Sequence, residues 1–319
     1  MKLAFVFPGQ GSQTVGMLAG FDAMPVVRAT FEEASEVLGQ DLWELVSAGP
    51  EQDLNSTVNT QPVMLAAGVA AWRAWNEAGG SPPAVLAGHS LGEYTALVAS
   101  GALDFRDALP LVRFRAQAMQ DAVPAGVGAM AAILGLDDAG VAAACTEAAA
   151  AAPAEVVEPV NFNAPGQLVI AGHRAAVERA VAAAKALGAK RAVLLPVSAP
   201  FHSSLLKPAA ARLAQRLEEI SFATPRIPVL HNVDVQSHER QDAIRGALAA
   251  QAASPVRWVE TVRAMAAQGI THVIECGPGR VLAGLTKRIA PELTGVAVFD
   301  AASLEAARAL ATGSAGAES

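Results

Sequence analysis

The chain has 319 residues, 52% of them hydrophobic and only 17% charged, which excludes a disordered or fibrous protein and predicts roughly two globular domains. Its net charge of -7 argues against a nucleic-acid binder, and its two cysteines are too few for a disulfide scaffold. Because the apolar run 3–7 is too short for a signal peptide and no apolar stretch is long enough to span a bilayer, we expect a cytoplasmic protein without membrane contact.

Short aliphatic runs alternate with longer alanine-rich ones, which is typical of an α/β fold with buried parallel strands. In chain order, the first part predicts strand 3–7, helix 27–38, a helix from about Gln61 to 78 with Pro62 in its first turn, strand 84–87, a helix to about 100 and helix 106–119. The last part predicts strand 229–233, helix 256–268, strand 272–276, helix 282–289, strand 296–299 and a disordered tail, 313–319.

The middle of the chain follows a different pattern. It predicts strand 129–134, helix 137–152, strands 156–161 and 167–171, helix 175–187 and strand 192–197. This β-α-β-β-α-β order is ferredoxin-like, and proline-containing segments flank it on both sides. We therefore expect a large α/β domain over 1–124 and 198–319, with a mostly parallel sheet, and a small α+β domain inserted at 125–197.

The strongest chemical signal is a G-x-S-x-G motif over 88–92, placed between a predicted strand and a predicted helix. In that context the glycines permit a sharp turn that exposes the hydroxyl of Ser90 as a nucleophile. The N–H of Leu91, at the start of the helix, then points towards an oxyanion on a bound acyl group. A purely structural interpretation is also open, because Ser90 and Glu93 have the spacing of a helix capping box.

A glycine-containing loop follows the first strand and is the second candidate. The N–H of Gln10 in this loop is a possible second oxyanion donor if the first strand lies beside the strand of the motif. The loop lacks the lysine of a phosphate-binding loop, and an ordinary glycine turn explains it equally well.

A serine nucleophile needs a base, and the sequence has six histidines. His202 follows a predicted strand in a loop, where a histidine can act as a base or be a bystander. His231 is its main rival, although its position in a strand favours a packing role. No histidine or cysteine cluster has metal-ligand spacing, so we expect no metal.

Several segments in order resemble malonyl-CoA:acyl carrier protein transacylases over nearly the whole chain. They are FVFPGQGSQ at 5–13, GHSLGE at 88–93, 115–130, NFNAPGQ at 161–167, PFHS at 200–203 and ECGPG at 275–279. The resemblance implies a large α/β hydrolase-like domain with an inserted ferredoxin-like domain. It also implies malonyl transfer from malonyl-CoA to the phosphopantetheine thiol of acyl carrier protein for fatty-acid or polyketide synthesis, with coenzyme A as product and no tightly bound cofactor.

Residue roles follow from the same resemblance. Ser90 attacks the thioester, His202 is the general base, and the main-chain carbonyl of Gln251 orients that base. The N–H groups of Gln10 and Leu91 form the oxyanion hole. The two thiols use one site in turn, which implies ping-pong kinetics.

The resemblance further assigns substrate contacts. Arg115 matches the arginine that binds the malonyl carboxylate, although a helix-surface ion pair is its simpler interpretation. Phe201 matches malonyl-selecting members, but several bacterial members have serine there. Gln61 and Asn161 match residues near the pocket without an assigned role.

Two other classes remain open from the residues. A serine esterase or thioesterase shares the motif, but it is expected to place an aspartate or glutamate between the serine and the histidine. A non-catalytic scaffold is the third class. Formation of a covalent adduct between Ser90 and malonyl-CoA separates the scaffold from both enzymes.

Overall fold

The computed structural model describes residues 1–312, so the predicted disordered tail lies outside the described residues. In this described part of the chain, nine strands form two sheets: β1 Leu3–Phe7, β2 Val85–Gly88, β3 Gly128–Leu134, β4 Val157–Ala164, β5 Gln167–His173, β6 Arg191–Leu194, β7 Val229–Leu230, β8 His272–Cys276 and β9 Thr294–Val298. Each predicted strand is therefore present, with ends that differ by a few residues. The fold is a mixed α/β fold with one parallel sheet and a separate antiparallel sheet.

The α-helices of the described chain connect and cover these strands. They are α1 Pro25–Leu38, α2 Leu42–Ala48, α3 Glu51–Leu54, α4 Thr57–Glu77, α5 Gly92–Ala99, α6 Phe105–Asp121, α7 Asp138–Ala150, α8 Arg174–Ala186, α9 Lys207–Leu217, α10 Gln241–Gln251, α11 Trp258–Ala267, α12 Val281–Ile289 and α13 Ala301–Thr312. Within residues 1–312, every helix is too short or too polar to span a bilayer.

The parallel sheet has the strand order β7-β2-β1-β8-β9. Every residue of β1 and β2 is buried, because helices cover both faces of the sheet. Phe5 points to one face, where its ring packs edge-on against Trp75 of α4 at a centroid distance of 5.0 Å. Val6 points to the other face, into a cluster that contains Trp258 of α11. Because successive side chains of β1 point to opposite faces, this strand contributes to the hydrophobic cores on both sides of the sheet.

The antiparallel sheet has the order β4-β5-β3-β6, and α7 and α8 pack against it around their own buried cluster. Its elements follow one another along the chain as the predicted β-α-β-β-α-β series. The last strand ends at Leu194 rather than at 197, because Pro196 has no N–H to donate to a ladder.

Some helix predictions were wrong. Helix α4 begins at Thr57, four residues before the predicted start, and Pro62 lies inside the helix. The hydroxyl of Thr60 donates to the carbonyl of Ser56 at 3.0 Å, so the first turn is formed by residues whose polar side chains suggest a loop. Helices α2, α3, α9, α10 and α13 were not predicted. Helices α2 and α3 have only 7 and 4 residues, too few for a clear helical period, whereas α9, α10 and α13 bury apolar residues at helical spacing and were missed.

Parallel pairing places the functional segments at one edge of the sheet. Phe7 is opposite Gly88 in the β1–β2 register, and Leu230 of β7 is opposite Ala87. The chain segments that follow these three strands therefore leave the sheet at the same carboxyl edge, where ligands bind in open α/β sheets.

Candidate active site

Ser90 lies in a sharp turn between β2 and α5, as the motif predicts. Its backbone has a φ of 52°, a left-handed conformation that costs energy for a residue with a side chain. A Cβ atom on Gly88 would collide with the backbone of Gly92, and one on Gly92 would collide with the carbonyl of Phe7. The two glycines therefore let the turn pack against β1 while the half-buried Ser90 side chain faces a cavity.

The capping-box interpretation of Ser90 and Glu93 was wrong. Leu91 is the N-cap of α5 and has no side-chain cap. The Ser90 hydroxyl instead contacts His202 and Arg115, and the Glu93 carboxylate contacts other buried donors.

His202 reaches the serine from the loop between β6 and α9. Its Nε2 lies 2.7 Å from the Oγ of Ser90, and its Nδ1 lies 2.9 Å from the main-chain oxygen of Gln251. The carbonyl can only accept a hydrogen bond, so it holds the tautomer with hydrogen on Nδ1 and leaves the Nε2 lone pair for the hydroxyl proton. Burial, and then the charge of Arg115, lower the pKa of His202 to about 3, so the imidazole is neutral near neutral pH.

Arg115 is a buried residue on α6, only 2% exposed, so its interpretation as a helix-surface ion pair was wrong. Its Nη1 donates to Gln61 Oε1 at 2.9 Å, and its Nη2 donates to Gln251 Oε1 at 2.8 Å and to Ser90 Oγ at 3.1 Å. All three acceptors are uncharged, and within residues 1–312 no carboxylate lies at ion-pair distance from this guanidinium. A buried cation without a counter-ion favours an anionic ligand.

The two candidate oxyanion donors lie beside Ser90. Gly9 packs against the carbonyl of His89, which brings the Gln10 loop to the nucleophile turn. In the described chain, neither the N–H of Gln10 nor that of Leu91 has a hydrogen-bond acceptor. Both groups are therefore available to a ligand.

These groups line a cavity of about 640 Å³ between the two sheets. Its lining includes Ser90, His202, Arg115, Gln10, Leu91, Phe201, Gln61 and Asn161, together with residues that the sequence did not indicate, among them Met130, Leu195, Pro196 and Val197. Asn161 belongs to β4, and its Oδ1 is buried without a partner in the described chain, so it can accept a hydrogen bond from a ligand. A larger groove of about 780 Å³ between α6 and α9 contains none of the candidate residues.

His231, the rival base, makes no hydrogen bond with the Ser90 hydroxyl. It is fully buried, and its Nδ1 lies 2.8 Å from Glu93 Oε1. His89, the neighbour of the serine, points to Asn163, with 2.8 Å between Nε2 and Oδ1. The structure thus brings only His202 of these three to Ser90.

Both cysteines are free and buried, and burial raises their thiol pKa values, to about 12 for Cys145. Residues 1–312 contain no group of three or more His, Cys, Asp and Glu side chains arranged to hold a metal ion.

The comparisons with known proteins agree with one another. A family model described as an acyl transferase domain matches residues 4–302. A malonyl CoA-acyl carrier protein transacylase of Escherichia coli (strain K12) is 57% identical over 307 residues, which cover 96% of this chain and 98% of that protein. An acyl-carrier-protein S-malonyltransferase structure from Burkholderia pseudomallei 1710b has a TM-score of 0.94 and 62% identity, covering 96% of this chain and 99% of that one. The structure of a malonyl-transacylase in complex with its type II PKS acyl-carrier protein has a TM-score of 0.94 and 55% identity. The match covers 97% of this chain and 99% of that one.

Proposed function

The chain belongs to the acyl transferase family and, within it, to the malonyl CoA-acyl carrier protein transacylases; from that premise we propose that it transfers malonyl groups through an ester on Ser90. The donor is malonyl-CoA, the acceptor is the thiol of an acyl carrier protein, and the product serves fatty-acid or polyketide synthesis. One observation carries the proposal. The Ser90 hydroxyl lies 2.7 Å from Nε2 of His202 and 3.1 Å from a buried guanidinium that has no counter-ion among residues 1–312.

In the first half-reaction, His202 Nε2 removes the Ser90 proton as Oγ attacks the thioester carbon of malonyl-CoA. The N–H groups of Gln10 and Leu91 stabilise the oxyanion of the tetrahedral intermediate. Its collapse breaks the carbon–sulfur bond, and the departing coenzyme A sulfur takes the proton from His202. The products are coenzyme A and a malonyl ester of Ser90.

In the second half-reaction, the thiol of the acyl carrier protein enters the same cavity and gives its proton to His202. Its sulfur attacks the ester carbon, and Ser90 leaves with the proton returned by His202. Because one base and one oxyanion hole serve both thiols in turn, the kinetics are ping-pong. The Gln251 carbonyl holds the base in its working tautomer, while stabilising the imidazolium less than a carboxylate would.

Arg115 is proposed to bind the substrate carboxylate. A planar guanidinium can donate two parallel hydrogen bonds to a carboxylate, and the anion neutralises a charge that burial has desolvated. Gln61 and Gln251 are proposed to aim the guanidinium, since each side-chain oxygen accepts one of its hydrogen bonds. An esterase has no need of such a charge in its acyl pocket.

The experiment that tests this function follows the covalent intermediate. The protein is mixed with malonyl-CoA, and intact-protein mass spectrometry is expected to show one malonyl group on Ser90. Chasing the adduct with the thiol of an acyl carrier protein is expected to remove it far faster than water does. Equal removal by water would favour the thioesterase alternative, and no adduct would favour the scaffold.

Phe201 is expected to exclude an α-methyl group from the acyl pocket. It is half-buried, lines the cavity and precedes the base in sequence. Replacing Phe201 by alanine should lower the preference for malonyl-CoA over methylmalonyl-CoA by about 5- to 150-fold, because steric discrimination of one methyl group is worth about 1–3 kcal/mol. The ratio of the two kcat/KM values is the measurement. Phe114→Ala is the matched control and should leave the ratio unchanged, because Phe114 lines the groove between α6 and α9 and not the cavity.

The pH dependence of acylation should report the environment of His202. Protonation removes the base, and the pKa of about 3 means that protonation begins only well below the ordinary value of 6.5. The wild-type kcat/KM for acetyl-CoA should therefore be nearly flat from about pH 8 to pH 5. Removing the positive charge in Arg115→Ala raises the pKa of His202, so the acid limb should move to higher pH. Folding should be checked at each pH. If kcat/KM for acetyl-CoA falls at the same acidic pH in wild type and in Arg115→Ala, this expectation is contradicted.

We also propose the finer organisation of the chain. The division is a hydrolase-like domain over 1–124 and 198–319, of which 198–312 is described, and a ferredoxin-like domain over 125–197. Support comes from the strand order of the antiparallel sheet, which brings β3 and β5 to its centre.

A cytoplasmic location remains a proposal, supported by two free cysteines. Malonyl-CoA and coenzyme A are the small molecules of the reaction, and the proposed chemistry uses no tightly bound cofactor.

A further inference from the structure

Asn232 lies directly behind the nucleophile turn, two residues after β7, and is fully buried. Its Oδ1 accepts a hydrogen bond of 2.7 Å from the N–H of Ser90. Its Nδ2 donates a hydrogen bond of 2.7 Å to the carbonyl of Gly88. One side-chain amide therefore bridges the backbone on both sides of His89.

The turn needs this support for a physical reason. Ser90 is held at a φ of 52°, where a residue with a side chain pays a conformational cost. The pairing of β2 with β7 ends at Ala87, so the Gly88 carbonyl and the Ser90 N–H, which follow it, need another partner once they are buried. Asn232 satisfies both groups only while the turn keeps this shape.

Asn232 is itself held by a buried carboxylate. The N–H of Asn232 donates to Glu93 Oε2 at 2.8 Å, and His231 Nδ1 donates to Glu93 Oε1 at 2.8 Å. Gln251 Nε2 also donates to Glu93 Oε2 at 2.9 Å and to the Ser90 carbonyl at 2.9 Å. Glu93 is thus hydrogen-bonded both to Asn232, which supports the turn at Ser90, and to Gln251, whose main-chain carbonyl orients His202.

We propose that Asn232 is a positioning residue for acyl transfer, whose side-chain amide holds Ser90 in its attacking conformation and whose own place is set by Glu93. The inference rests on the proposed role of Ser90 as the nucleophile. Asn232 contacts neither the guanidinium of Arg115 nor the cavity. Its loss should therefore slow the attack of Ser90 on any acyl group while substrate binding is retained.

The test compares Asn232→Ala, which removes both hydrogen bonds, with Asn232→Asp, which keeps an acceptor for Ser90 but places an oxygen against the Gly88 carbonyl. Rapid mixing with malonyl-CoA gives the rate constant of Ser90 acylation and the half-saturating concentration. A second probe is phenylmethylsulfonyl fluoride, from which the serine displaces fluoride and which carries no carboxylate. Both variants should lose about 10²-fold in each rate constant, since small misplacement of a reacting group has effects of that size. The half-saturating concentration should change less than about threefold.

Ser100→Ala is the matched control. Ser100 is also fully buried, and its hydroxyl bridges two backbone groups, the carbonyl of Leu97 and the N–H of Ala102, at the other end of α5. The control should lose stability without losing Ser90 reactivity. If either Asn232 variant folds and its Ser90 reacts with both probes within about tenfold of wild type, the inference is overturned. If wild-type protein forms no malonyl ester, the proposed function fails instead.

Discussion

Ser90→Ala is expected to abolish the malonyl-enzyme and to lower malonyl transfer by about 10⁴-fold or more. The reaction loses its only covalent acceptor, and the remaining imidazole and oxyanion donors cannot replace an attacking oxygen. Intact-protein mass spectrometry after mixing with malonyl-CoA should show no adduct, and transfer to acyl carrier protein should fall to the background rate.

The fold of this variant should be retained, so the loss can be assigned to chemistry. Alanine removes only the hydroxyl that contacts His202 and Arg115, and the backbone bond to Asn232 stays. The thermal midpoint should therefore remain close to that of wild type. A malonyl adduct on Ser90→Ala protein would place the nucleophile elsewhere.

Arg115→Ala is expected to lower kcat/KM for malonyl-CoA by about 30- to 5 × 10³-fold, while the value for acetyl-CoA changes by less than about tenfold. Malonyl differs from acetyl by the carboxylate, and truncating one partner of a buried charge pair costs about 2–5 kcal/mol. An acetyl group makes no such bond, so its reaction is affected only through the lost hydrogen bonds from the guanidinium to Ser90 Oγ, Gln61 and Gln251. The measurement is the malonyl-to-acetyl ratio of kcat/KM.

Arg115→Lys is the informative companion to this variant. Lysine keeps the positive charge but cannot donate two parallel hydrogen bonds from a planar group, so its malonyl-to-acetyl ratio should lie between those of alanine and arginine. Equal losses for both acyl groups in Arg115→Ala would reject the role of Arg115 in binding the carboxylate. The carboxylate of the substrate would then have to be bound by another group.

The candidate nucleophile, Ser90, could be predicted from the sequence because its signal is local. A strand, a tight glycine turn and a helix stand next to one another, and the turn dictates that the Ser90 side chain leaves the backbone towards the edge of the sheet. The proposed base could not be predicted in this way. Six histidines were available, and only the family resemblance singled out His202, which is 112 positions from Ser90.

Arg115 and Asn232 show what the linear pattern leaves out. A helix of this composition normally exposes its arginines, yet Arg115 turns inward because Gln61 and Gln251, from two other helices, accept its hydrogen bonds. Asn232 lies inside the predicted strand 229–233, but β7 ends at Leu230, and the position of Asn232 behind Ser90 depends on the pairing of β7 with β2.

The sequence by itself determined the strands, most of the helices and the turn at Ser90, because side-chain alternation, helical periodicity and glycine geometry act over a few residues. The local pattern did not determine which base, cation and amide meet that serine; the family resemblance implied His202 and Arg115, and only the tertiary structure revealed Asn232. Those contacts join residues more than 20 positions apart, and they form only when parallel strands bring their carboxyl ends to one edge and burial removes water from the groups gathered there.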